Sequence, residues 1–115
     1  MLTIEKMKEI GANTEEGLNR CMNNEAFYLR MVNLAISDDS FDQLKEAIEA
    51  GDLDRAFERA HAIKGVLGNV SLTNLFEPVS EMTELLRSRT DTDYSELLDR
   101  MFEELNKYRS LDEEE

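Results

Sequence analysis

One stretch of the chain, Ala60-His61-Ala62-Ile63-Lys64-Gly65-Val66-Leu67-Gly68-Asn69-Val70, holds its single histidine, a lysine three residues on, and two nearby glycines. At roughly 100° per residue an α-helix brings positions i, i+3, i+4 and i+7 onto one stripe. His61, Lys64, Gly65 and Gly68 have that spacing, whereas the apolar side chains gather about Ala60, Ile63 and Leu67. His61 should therefore look outward at the margin of the buried face. A histidine titrating near its unperturbed value of about 6.5 offers a neutral, nucleophilic nitrogen at neutral pH. Covalent transfer through such a nitrogen splits one difficult step into two easier ones. The ammonium of Lys64 one turn away is a compact point charge suited to an incoming phosphoryl group.

The glycines sharpen this reading. Each costs about 1 kcal/mol relative to alanine inside a helix, against a total stability of about 5–15 kcal/mol. On an exposed stripe they add no core packing. They leave the helix surface beside His61 bare, so a second protein can approach the imidazole closely. Structural explanations compete: Gly65 can mark a close helix crossing, and Gly68 can begin the end of the helix with Asn69 as cap. Gly65, Gly68 and Phe57, which lies one turn before His61, are the residues expected at a partner surface.

The elements that must position these residues are helical throughout. Phe41, Leu44 and Ile48 recur at helical spacing, and so do Leu53, Ala56, Phe57, Ala60, Ile63, Leu67 and Val70. Leu72, Leu75, Val79, Met82 and Leu86 step by three and four, as do Tyr94, Leu97, Met101, Leu105 and Tyr108. Asn13 with Glu16, Ser40 with Gln43 and Asp93 with Glu96 have capping-box spacing, and Gly51-Asp52 reads as a stop followed by a new N-cap. These signals predict amphipathic helices near 40–50, 52–70, 72–89 and 92–109. Short turns between them favour an all-α, antiparallel up-down four-helix bundle. Upstream, 14–21 and 25–37 also read as helix, with Phe27, Met31 and Leu34 on one face, and 25–50 reads equally as one long helix kinked near Ser37–Ser40. The short N-terminal helices are expected to cover one end of the bundle. Pro78 should kink the 72–89 helix, because it removes a ladder bond and crowds the preceding turn. One domain, 1–115, is expected: N-terminal helices to 37, a core bundle over 38–110, and an acidic tail over 111–115.

Composition narrows the partners. With 115 residues, 41% hydrophobic and 34% charged, the chain is long enough for one modest core. Its net charge of −13 repels nucleic-acid phosphates and anionic membrane surfaces. No apolar run reaches the ~20 residues of a membrane span, and the charged N-terminus is not a secretory signal. One cysteine, Cys21, excludes an internal disulfide, and a cytoplasmic setting is expected. A transition-metal site wants several His or Cys ligands, and one of each is present, far apart; no metal or cofactor is expected.

The run from Ala60 to Asn69 resembles the signature of histidine phosphotransfer (HPt) domains, A-H-x-[LI]-K-G followed by small residues. The likeness extends upstream to Glu16–Arg20, Tyr28-Leu29 and the turn Ala50-Gly51-Asp52, and downstream to Leu72, Leu75 and Met82, covering roughly 14–89. It implies a helical bundle with His61 as phosphoacceptor, Lys64 beside the phosphoryl group, and Gly65 leaving room for a partner. It also implies a phosphorelay, in which a receiver domain's phospho-aspartate donates to His61 and another receiver accepts. The receiver supplies the Mg²⁺ and most of the catalytic apparatus, and the HPt domain has no kinase activity. Three departures from the pattern stand out. Ser71-Leu72 replaces a common Gly-Ala pair, Thr83 stands where several relatives carry Gln or Glu close to the histidine, and Pro78 is unusual in its helix.

A free-standing, monomeric phosphorelay carrier is the leading expectation, its partners being receiver domains and, in one variant, a histidine kinase. Met1 and the acidic end fit a complete small protein. Two alternatives stand beside it: the phosphotransfer domain of a larger hybrid or chemotaxis-type kinase, and a helical interaction module whose His61 is inert.

Overall fold

In the computed structural model, which describes residues 1–113, the described residues form seven α-helices and no strand. They are α1 (Ile4–Glu9), α2 (Thr14–Arg20), α3 (Glu25–Ser37), α4 (Ser40–Glu49), α5 (Leu53–Asn69), α6 (Thr73–Arg87) and α7 (Ser95–Glu113). Helix α5 packs between α4 and α6, α6 packs on α7, and α7 in turn meets α3 and α1. The core is continuous and takes Ala56, Ala60, Ile63 and Leu67 from α5, Leu75, Val79, Met82 and Leu86 from α6, and Leu98, Met101, Leu105 and Tyr108 from α7.

The turn into α5 is built as the sequence demands. Gly51 takes φ +74°, its N–H donates to Ile48 O and that of Asp52 to Ala47 O, closing α4. Asp52 then caps α5, its carboxylate accepting from the Arg55 N–H at 3.2 Å. At the far end α5 runs through Gly68 and Asn69 to a cap at Val70. Gly68 is therefore the last residue but one of the helix, and the cap falls at Val70 instead of Asn69. Ser71 holds the left-handed position, φ +56°, that glycine usually takes.

The N-terminal helices brace this same end. The Asn13 N–H donates to Ser71 O at 2.9 Å, and Tyr28 Oη donates to Val70 O at 2.8 Å. Gly17 lets that tyrosine in: a Cβ at Gly17 would lie 2.4 Å from the Tyr28 ring.

Several expectations need correction. The 25–50 segment is two helices: Asp38 is extended (φ −69°, ψ 141°), and its carboxylate accepts from the N–H and hydroxyl of Ser40. Ser40 is consequently the first helical residue and not the cap, and Asp93 does the same for Ser95, so neither capping box forms there. Phe27 and Leu34 lie on the outer side, 41% and 61% exposed, and Met31 is half-buried against the core, which Tyr28, Val32, Ala35 and Ile36 enter fully. Helix α3 is apolar almost all round, so its sequence leaves the buried side undetermined. Residues 111–113 continue α7 instead of starting a tail. Leu111 packs on the core, its carbonyl accepts from the Met1 ammonium at 2.9 Å, and Asp112 accepts from Asn33. Glu114 and Glu115 lie outside the described residues. Pro78 is buried within α6, which continues through it.

Two predictions follow from this packing. Gly17→Ala should destabilise the protein by roughly 1–3 kcal/mol through overpacking against Tyr28, measured by denaturant unfolding; an unchanged midpoint would contradict the contact. Burial also pushes Tyr28 up to about 12 and raises Tyr94 and Tyr108 from their ordinary value of 10.0. A phenol raised in the folded state keeps its stabilising contribution below its unfolded pKa and loses it as pH climbs through the folded one. Helix content should thus hold to about pH 10 and fall between about 10 and 12 together with phenolate formation. Tyrosines ionising with the helices intact would contradict it.

Candidate functional site

Burial of Ala56, Ala60, Ile63 and Leu67 fixes the rotation of α5 about its axis. His61, one residue past Ala60, is turned about 100° from it and is exposed. Gly65 is exposed beside it, and Lys64 and Gly68 are half-exposed at the margin of the same stripe. The four residues singled out by spacing thus share one surface.

A methyl group on Gly65 would meet no neighbouring atom within 4 Å, so no helix crossing accounts for this glycine. A methyl on Gly68 would reach the Phe76 ring at an ordinary 3.5 Å. Neither glycine is required by the packing of the isolated protein.

Around this bare patch lie Phe57, expected there from its place one turn before His61, and several side chains that spacing did not reveal. Phe57 is half-buried, and its ring stacks on that of His61, with centroids 5.7 Å apart and planes 19° from parallel. The guanidinium carbons of Arg87 and Arg89 lie over Phe57 at 5.2 and 5.0 Å from its centroid. Lys64 Nζ lies 6.0 Å from the centroid of Phe76 on α6. Glu84, also on α6, is held below the usual carboxylate range, first by its hydrogen bond to Arg87 and then by the charges of Arg87, Lys64 and His61. Thr83, by contrast, is fully buried with its hydroxyl donating to Val79 O at 2.7 Å, so it does not stand at the histidine. The α6 carboxylate whose field reaches the site belongs to the next residue, Glu84.

The arrangement offers a solvent-facing imidazole and a cation on the same stripe. Among the described residues no group of three or more His, Cys, Asp or Glu is placed to hold a metal ion. No helix among the described residues is long and apolar enough to cross a membrane. A family profile described as the Hpt domain matches residues 33–111, most of the chain. This chain belongs to the Hpt domain family. Hpt domains carry phosphoryl groups on histidine in phosphorelay signalling, interact with receiver domains, and are in general carriers and not kinases. No curated protein and no solved structure gives a significant match. The Hpt match begins beyond the lead-in at Glu16–Leu29, whose resemblance rests on its residues alone.

Because open space surrounds Gly65, Gly65→Ala should stabilise the isolated Hpt domain by about 1 kcal/mol, the helix-propensity difference. Thermal unfolding checks this; a loss of stability would show that the glycine serves packing.

Proposed function

We propose that His61 is the phosphoacceptor of a phosphorelay carrier, taking its phosphoryl group from a receiver-domain aspartate and passing it to another receiver. The observation that carries this reading is Gly65, a helix-interior glycine on the surface beside an exposed histidine, with nothing around it in the free protein. Such a gap suits a partner's active site closing over the imidazole.

The chemistry then needs little from this chain. A neutral ring nitrogen of His61 attacks phosphorus in line as the acyl-phosphate P–O bond breaks. The P–O electron pair leaves on the receiver's carboxylate, and a P–N bond forms. The reverse exchange with a second receiver's carboxylate regenerates free His61. The receiver provides the Mg²⁺ that offsets charge on the transferring group, and Lys64 adds a cation from the Hpt side. Partner docking is further supported by exposed apolar side chains flanking the site helix, since Phe27, Leu34 and Val66 line a groove between α3 and α5. We infer that α4 to α7 form the antiparallel up-down bundle that holds this surface, in a monomeric, cytoplasmic protein.

Incubation with a phosphorylated receiver should label the protein, and His61→Gln should abolish labelling without loss of helix. Label persisting in that variant would reassign the site. Lys64→Ala should slow transfer roughly tenfold with the fold intact; wild-type rates would remove Lys64 from the mechanism. Gly65→Ala should slow transfer while stabilising the protein, which separates partner access from folding. Labelling by a kinase's ATP-binding domain but by no receiver would instead favour a piece of a larger kinase.

A further inference from the structure

We propose that Phe57 is a positioning residue for His61, and that Arg87 and Arg89 clamp Phe57 from the end of α6. The inference rests on His61 being the phosphoacceptor, and it gives Phe57 a different task from direct contact with the partner.

An exposed histidine on a bare helix stripe is free to swivel among rotamers on the picosecond-to-nanosecond scale. In-line attack needs its nitrogen aimed. Phe57 is one turn upstream on the same helix surface, and its near-parallel ring at 5.7 Å falls within the range of offset-stacked pairs. Stacking restricts the imidazole plane while leaving its outer edge open to solvent.

Phe57 is in turn held by two cations. Arg87 is fixed by Glu84 at 2.9 Å. Arg89 is fixed more elaborately: its Nη1 donates to Leu86 O at 2.7 Å and to Arg87 O at 3.2 Å, and its Nε pairs with Asp54 in the first turn of α5. Its guanidinium thus joins the end of α6 to the start of α5 with the Phe57 ring beneath it.

The backbone of Arg89, like that of Ser71 after α5, takes a left-handed turn. It follows the α6 cap Ser88 with φ +50°, and its N–H donates to Leu86 O. This is the left-handed position after a helix end where glycine is the favoured residue and any other is strained. A strained arginine there, whose side chain returns to cover Phe57, has a use for its guanidinium that glycine could not serve.

Arg89→Gly provides the test, because it relaxes the turn while removing the clamp. Thermal stability should hold, His61 ring order measured by NMR side-chain relaxation should fall, and transfer from a phosphorylated receiver should slow by about tenfold, as a misaimed nucleophile would. Phe57→Leu should lower both ring order and rate, and remove the ring-current shift on the His61 protons. Phe57→Tyr should restore both. Wild-type ring order in Arg89→Gly and Phe57→Leu overturns the proposal, and so does slower transfer without loss of ring order, which would make Phe57 a partner contact. Should the wild-type protein accept no phosphoryl group at all, the phosphoacceptor reading fails, while ring order still decides whether Phe57 and Arg89 fix the imidazole.

Discussion

Helix α5 has one buried side, and the burial of Ala56, Ala60, Ile63 and Leu67 against α4 and α6 leaves no freedom in how the helix is rotated. Burying an aliphatic side chain is worth about 1.5–3 kcal/mol, so several together far outweigh any preference of one polar residue. His61 is exposed because its neighbours on both sides of the stripe are committed elsewhere.

The surface so presented gives up stability for access. Gly65 and Gly68 sit where alanine would fit and would favour the helix. Protein interiors tolerate such residues for reasons of packing, but here no packing reason exists. The charges follow a related logic. In a chain of net charge −13, Lys64, Arg87 and Arg89 collect around Phe57, Phe76 and the histidine. A group proposed to carry a phosphoryl anion thus has cations beside it in a strongly negative molecule.

Much of this was legible in the sequence, for physical reasons that can be named. The stripe from His61 to Gly68 and the aliphatic rows of α5, α6 and α7 follow from the 3.6-residue period. Gly51-Asp52 announces its turn through residue types favoured for a helix stop and a new N-cap. The facing of α3 could not be read, because Phe27, Met31 and Leu34 compete with Tyr28, Val32 and Ile36 and only tertiary contacts decide between them. Tyr28 prevails because Gly17 vacates room for its ring and Val70 offers its hydroxyl an acceptor. The continuation of α7 through Glu113 depends on Met1 and Asn33, distant in sequence. Phe57 was legible beside His61, but the arginines over it were not, since an arginine in the left-handed position after α6 has no sequence signature. The resemblance aligns Thr83 with a polar residue of several relatives, but Thr83 is buried, and it is the carboxylate of the next residue, Glu84, that the charges of Arg87 and Lys64 meet.

Nitrogen-15 NMR of the histidine side chain, recorded after exposure to a phosphorylated receiver, tests the central claim most directly. A phosphorus coupling on one ring nitrogen of His61, lost on treatment with acid, is the predicted result. A phosphoryl group found on any other residue, or an imidazole that stays uncoupled while the receiver is drained of phosphate, would contradict it.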